Sequence, residues 1–165
     1  MPSEAFHVHF LRNKLIVVCQ KGFEIIDLTE YVTSCATVQT HVTNPSSDRL
    51  NPGSIPVFDS ARVKNDASLY ALKSRCDAGA KPLGIFRSTE SEFLLVYDSF
   101  GFFVDRHGYP NRDMRAIEWE GRPESVGFHP PYVVLFSAPF MEIRHISDAR
   151  LLQIYCAKDL RCSWE

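Results

Sequence analysis

The sequence predicts an all-β fold, a β-propeller of four-stranded antiparallel blades, with one short helix near residues 67–76. Three observations predict it. A double apolar run with a short polar break occurs three times: "KLIVVCQKGFEIIDLTE" from Lys14, "EFLLVYDSFGFFVDRHG" from Glu92 and "YVVLFSAPFMEIRHISD" from Tyr132. The second and third runs begin 40 residues apart, at Phe93 and Val133, and about 40 residues is the length of one four-stranded propeller blade. The first begins 78 residues before the second, at Leu15, which is one blade plus an insertion of 38 residues. Each double run is also flanked by two further strand candidates. A β-sandwich of about twelve strands is the alternative all-β reading, and it supplies no reason for a 40-residue period.

In the first unit "EAFHVHF" precedes the double run and "TSCATVQT" follows it. In the second the flanking strands are Pro82 to Arg87 and Arg115 to Gly121; in the third they are Glu124 to His129 and Arg150 to Cys156. The hairpin turns fall at Arg12-Asn13, Gln20-Lys21-Gly22, His107-Gly108-Tyr109-Pro110 and His129-Pro130-Pro131, where Gly, Pro and polar residues favour tight reversal. The second strand of each unit is apolar on both faces, as a blade sandwiched between neighbours requires. Residues 41–56 are rich in Asn, Pro and Ser and read as a flexible loop, so that 41–66 is an inserted segment. A short helix follows, with Asp66 as N-cap, Leu69 and Leu72 on one face, Lys73 and Arg75 late and Gly79 as the stop.

Three such blades end near Cys156, and "KDLRCSWE" reads as the first strand of a fourth. An unclosed stack leaves faces and edges bare. The expectation is therefore a part of a larger propeller, a fragment or truncated product, unless a second copy covers its edges.

Composition fits a folded domain: 165 residues, 45% hydrophobic and 12% aromatic. The net charge of −2 provides no global field for nucleic acid or anionic lipid. No apolar run approaches the ~20 residues needed to span a bilayer, and His7 and His9 interrupt what would be a signal peptide. An intracellular protein is expected. The five cysteines, Cys19, Cys35, Cys76, Cys156 and Cys162, are odd in number and lack CxxC spacing. Buried thiols explain Cys19 and Cys156 better than a disulfide framework does.

Six ordered blocks resemble the citron homology (CNH) domain, most closely that at the C-terminal end of fungal Rho guanine-nucleotide exchange factors. They are "KGFEIIDL", "AKPLGIFR", "EFLLVYDSFGFFVDRHG", "IEWEGRPESVGFHPPYVVLF", "FMEIRHI" and "LLQIYCAKDLRC", in this order, and the resemblance extends over residues 7 to 162 with the loop at 41–66 as its main departure. The resemblance implies a partial CNH propeller over 1–165, three to four blades of a seven-bladed ring. It also implies a role in binding signalling proteins. In such exchange factors a Dbl-homology domain performs exchange and a pleckstrin-homology domain follows it; the sequence contains neither pattern. Ala157 stands where the family often has Gly in a turn, which predicts strain if that position needs positive φ.

Chemistry-bearing constellations are sparse. His7 and His9 share a strand face as a two-residue metal half-site, without a Cys or carboxylate partner at ligand spacing. A GxSxG elbow is absent, and the 8 glycines form no phosphate loop. Glu118 and Glu120 are i, i+2 on a strand and should face one side, a rim contact rather than a glycosidase pair. Trp119 should then point opposite to them and pack between blades, with an exposed rim anchor as the other reading. Asp98, Asp105 and Asp27 read as turn caps. The polar hairpin "DRHGYPNRD", with Arg106, His107, Tyr109 and Arg112, is the first choice for a partner-binding loop. The candidate partner-binding set is thus Arg106, His107, Tyr109, Arg112, Glu118 and Glu120, with no catalytic, metal or cofactor residue.

The expected function is a regulatory interaction module of a Rho-type exchange factor. It would bind a Rho-family small GTPase, another signalling partner or the exchange domains of its own parent chain. The expected location is cytoplasmic, with recruitment to the plasma membrane by the parent. Homo-association through exposed propeller edges belongs to the same reading. A CNH domain of a citron or germinal-centre-type kinase or of a vesicle-tethering protein is the alternative parentage. An enzyme on a propeller scaffold would need convergent acidic or imidazole groups that the sequence does not show.

Overall fold

The structure is a computed structural model that describes residues 4–11, 14–20, 22–27, 66–105, 109–111, 116–157 and 160. The chain divides into two compact units, Met1–Ile55 and Pro56–Glu165. In the first, β1 (Ala5–Leu11), β2 (Lys14–Cys19) and β3 (Gly22–Asp27) form an antiparallel sheet in the order β1-β2-β3. Ile16, Val18, Cys19 and Phe23 are buried. The expected fourth strand, 33–40, and the inserted loop up to residue 65 lie outside the described residues.

The second unit opens with the expected helix, α1 (Ala67–Asp77). The Asp66 carboxylate accepts from the N–H groups of Ser68 (2.9 Å) and Leu69 (3.3 Å), satisfying donors that the first turn leaves unpaired. Gly79, at φ +96, ends the helix in a backbone conformation that side-chain-bearing residues rarely adopt. Two four-stranded sheets follow. The first holds β4 (Pro82–Arg87), β5 (Glu92–Tyr97), β6 (Phe100–Asp105) and β7 (Ile117–Glu118) in chain order. The second holds β8 (Ser125–His129), β9 (Tyr132–Phe136), β10 (Phe140–His145) and β11 (Leu151–Cys156), again as a simple meander. Each is a four-stranded antiparallel meander of the kind that the sequence predicts for a propeller blade.

Alternation sends the first blade's apolar residues to two faces. Leu94, Val96 and Phe103 join Leu83, Phe86, Trp119, Val133, Leu135, Ile146 and Ala149 in one core that lies between the two blades. Val126 and Phe128 of β8 pack against it, the Phe128 ring 5.2 Å from that of Phe86. On the opposite face Tyr97, Phe100 and Phe102 stack with centroids 5.1–6.2 Å apart and planes within 15°. β5 is therefore buried on both sides from Leu94 to Tyr97, as the double-sided apolar run requires.

The strand expected over 115–121 ends at Glu118. Trp119 leaves the ladder, with 8% of its surface exposed, and its indole Nε1–H donates to the Tyr97 carbonyl at 2.8 Å. Its ring lies over Gly101, where a Cβ would come within 2.4 Å of it. Close approach, rather than a turn, is why β6 carries a glycine there.

Trp119 leads to a buried ion pair. Glu142 is 0% exposed and Arg144 6%, side by side on one face of β10. Arg144 donates from Nε to Glu142 Oε2 (3.0 Å), from Nη1 to the Ala149 carbonyl (3.0 Å) and from Nη2 to the Glu118 carbonyl (3.2 Å). Its guanidinium carbon sits 5.0 Å from the Trp119 ring centroid. Glu142 Oε1 accepts the Gly121 N–H at 2.8 Å. A buried charge pair is tolerated when its remaining polar atoms are satisfied. Here they are satisfied by the Ala149 carbonyl in the turn after β10 and by the Glu118 carbonyl and Gly121 N–H where β7 crosses to the next blade, so the network joins β7 to β10. The Ser88 hydroxyl adds a second cross-blade bond, to the Ile146 carbonyl at 3.1 Å.

Two further expectations change. Cys156 is exposed rather than buried, because β11 is the outer strand of its sheet and pairs only with β10; Cys19 is buried as expected. The strain expected at Ala157 falls instead on Ala149 (φ 52), the one non-glycine with positive φ among the described residues. The Ala149 carbonyl is held by Arg144, so the network maintains this conformation.

Gly101→Ala should lower unfolding stability by about 1–3 kcal/mol, because Trp119 must move out of its slot. Glu142→Gln, which leaves the Arg144 charge without its buried counter-ion, should cost about 3–5 kcal/mol. Urea unfolding of each variant checks both.

Candidate interaction site

Tyr109 lies where β6 gives way to the chain leading to β7. Its N–H donates to Asp105 Oδ1 (3.0 Å) and its carbonyl accepts from the Asp105 N–H (2.9 Å), so Asp105 caps this turn as expected. Asn111 donates from Nδ2 to Glu92 Oε1 at 3.2 Å, tying the segment to β5. Arg106, His107 and Arg112 lie outside the described residues, as does the side chain of Asp27.

Glu118 and Glu120 are at the other end of the blade. Glu118 pairs with Phe100, the first residue of β6, whereas Tyr109 adjoins Asp105, the last. Five strand rises separate these ends, roughly 16 Å. The candidate set therefore divides into two patches at opposite ends of one blade and does not form a single surface.

Nor do the two carboxylates share a role. Glu118 forms a fork-to-fork pair with Arg75 on α1, Nη1 to Oε1 at 2.5 Å and Nη2 to Oε2 at 2.9 Å. The hydrogen bond from Arg75 holds the Glu118 carboxyl below its ordinary range, and the same contact raises Arg75. A carboxyl depressed in the folded state contributes stability above its unfolded pKa of 4.5 and loses it as pH falls through the folded value. With side chains 37% and 64% exposed, the pair is worth at most about 1 kcal/mol. Glu120 is 56% exposed, its Oε1 4.0 Å from Arg144 Nη2. It ends up beside the buried network because the chain leaves the strand after Glu118, which removes the alternation that placed both acids on one side.

Asp98 is more than a turn cap. It is buried, its Oδ1 accepts from the Lys81 N–H (3.1 Å), and its Oδ2 accepts from Nε (3.1 Å) and Nη2 (2.9 Å) of Arg122. Arg122, 79% exposed along its side chain, is thereby held in one orientation on the same end of the blade as Glu118. The signal for Arg122 was present in "IEWEGRPES", a lone cation after three residues of crossing, but its partner is 24 residues away. Glu142 and Arg144 had a clearer one: two opposite charges at i, i+2 inside an apolar strand face the same way.

Cys76 of α1 is hydrogen-bonded to Tyr97, and burial pushes its thiol up to about 11. Burial also raises Tyr97, with Cys76 adding to the effect. This is a packed thiol without nucleophilic character at neutral pH. Among the described residues no three His, Cys, Asp or Glu side chains gather as a metal would require, and no helix is long and apolar enough to cross a membrane.

Comparison with known proteins agrees with this architecture. The chain is 32% identical over 161 residues to Rho1 guanine nucleotide exchange factor 1 of Schizosaccharomyces pombe and 35% identical over 161 residues to exchange factor 2 of the same yeast. In each case 98% of this chain is covered, and it spans only 10% and 12% of those proteins. The solved AfRom2 CNH domain superposes with a TM-score of 0.62 at 33% identity, covering 98% of this chain and 43% of that one. The CNH domain family matches residues 1–164, and the chain belongs to that family.

Proposed function

We propose that the chain is part of the regulatory interaction module of a Rho-type guanine-nucleotide exchange factor, binding a Rho-family small GTPase or another signalling partner without performing exchange itself. The observation that carries this reading is the alignment of nearly the whole chain with two Rho1 exchange factors, at 32% and 35% identity. In this reading residues 1–165 are one partial CNH propeller with 41–66 as an inserted loop. The parent places it in the cytoplasm and recruits it to the plasma membrane. The exchange domains of the parent are the second partner to test, and a kinase or vesicle-tethering parent would be identified by the coding region upstream.

Two surfaces support a binding role. One is the end carrying Tyr109; the other is the end carrying Glu118, Glu120 and the oriented Arg122. A guanidinium fixed before binding loses little freedom on contact, which favours Arg122 as an anchor. Purified Rho1-type GTPase in GDP-bound, GTP-analogue-bound and nucleotide-free states should be retained by the immobilised chain. Because the patches are separate, either Tyr109→Ala or Arg122→Ala should weaken retention about tenfold, and the other should leave it unchanged. Absence of retention in every nucleotide state overturns the GTPase reading.

Homo-association is also part of the proposal. β11 carries exposed Leu152, Ile154 and Tyr155 and contains no charged residue or proline to discourage edge pairing. Light scattering should show concentration-dependent association that Ile154→Lys removes; a monomer at all concentrations contradicts it.

A further inference from the structure

We infer that α1 is a displaceable strap over an arginine-binding site on the blade β4–β7, formed by the carboxylate of Glu118 and the face of Phe100. Arg75 fills that site in this structure. Its guanidinium carbon lies 4.0 Å from the Phe100 ring centroid while the same group forks onto Glu118. Guanidinium suits both surfaces at once, a flat cation over a ring and a paired donor edge toward a carboxylate. Lysine offers a single compact charge and cannot do both.

The means of attachment makes the strap displaceable. α1 has eleven residues, and Leu72 is its one buried side chain. A helix of this length is marginal in isolation, so undocking and melting occur together. What holds its C-terminal half is the Arg75 contact and the Cys76–Tyr97 hydrogen bond. The Lys73–Asp77 ion pair lies within the helix and adds nothing across to the blade. The blade does not depend on α1 in turn. Its strands are paired by backbone, its other face is fixed by the core shared with β8–β11, and Trp119 is secured by Tyr97 and Arg144. Opening of α1 alone would bare Phe100 at the end of the stacked trio Tyr97, Phe100 and Phe102. A surface of aromatic rings beside a carboxylate would then accept an arginine from another chain in place of Arg75.

Native-state hydrogen exchange on the full 165-residue chain tests this, with L-argininamide as the probe and L-lysinamide at equal concentration as the control. Amides of residues 71–77 should exchange at least tenfold faster than those of β5 and β6, showing that α1 opens on its own. Argininamide should accelerate α1 exchange severalfold more than lysinamide does, with β5 and β6 unaffected. Glu118→Gln should raise basal α1 exchange about three- to tenfold and abolish the difference between the two probes. Exchange of α1 in step with β5 and β6 would overturn the strap, because α1 would then open only with the blade. Equal effects of the two probes, or a difference that persists in Glu118→Gln, would overturn the arginine site.

Discussion

Arg144 and Glu142 form an ion pair inside an apolar core, and burying such a pair is tolerated only if the strong donors and acceptors around it are answered. The answers come from outside β10. The Ala149 carbonyl belongs to the next turn, whereas the Glu118 carbonyl and Gly121 N–H belong to the crossing from the preceding blade. Meeting these demands fixes where β7 ends, draws Trp119 out of the ladder and over Gly101, and holds Ala149 at positive φ. Blade packing of apolar faces alone would tolerate sliding; directional bonds at one buried point do not. The ion pair thus sets how the two blades sit, whatever its net worth in stability.

That geometry determines what a partner can meet. The turns after β5 and β9 lie at one end of the blades, and those after β4, β6, β8 and β10 lie at the other. Arg75, Glu118, Glu120, Asp98 and Arg122 are gathered at the first end by the same crossing that carries Trp119, while Tyr109 and Asp105 are at the second. A propeller recognises partners through such ends and through its rim, and the family to which this chain belongs gives the ends their interest. The strap formed by α1 places one more contact of this kind under an element with few buried anchors.

Much of this was legible from residue pattern. β4, β8 and β11 begin and end within a residue of expectation because Gly, Pro or charged residues bound short apolar runs. Asp66 and Gly79 marked α1, since a cap and a positive-φ stop are local chemistry. What failed was long-range. β7 was expected to continue through Gly121, because nothing near it in sequence reveals that Glu142, 21 residues on, needs the Gly121 N–H. The reading that placed Glu118 and Glu120 on one side of a strand rested on that continuation, and the strand ends at Glu118. Cys156 sits in an apolar run, yet edge or centre is a property of the sheet and not of the strand. Asp98 looked like a turn cap and is one, through Lys81, but its stronger partner Arg122 becomes adjacent only in the folded blade.

The central claim is that Trp119 and Arg144 act as one unit holding neighbouring blades together. A double-mutant cycle of Trp119→Phe and Arg144→Met, read by urea unfolding, measures that directly. The account predicts a coupling energy above about 1 kcal/mol, since each residue positions the group that the other needs. Additivity within about 0.5 kcal/mol would mean that the two residues stabilise their blades independently, and would contradict it.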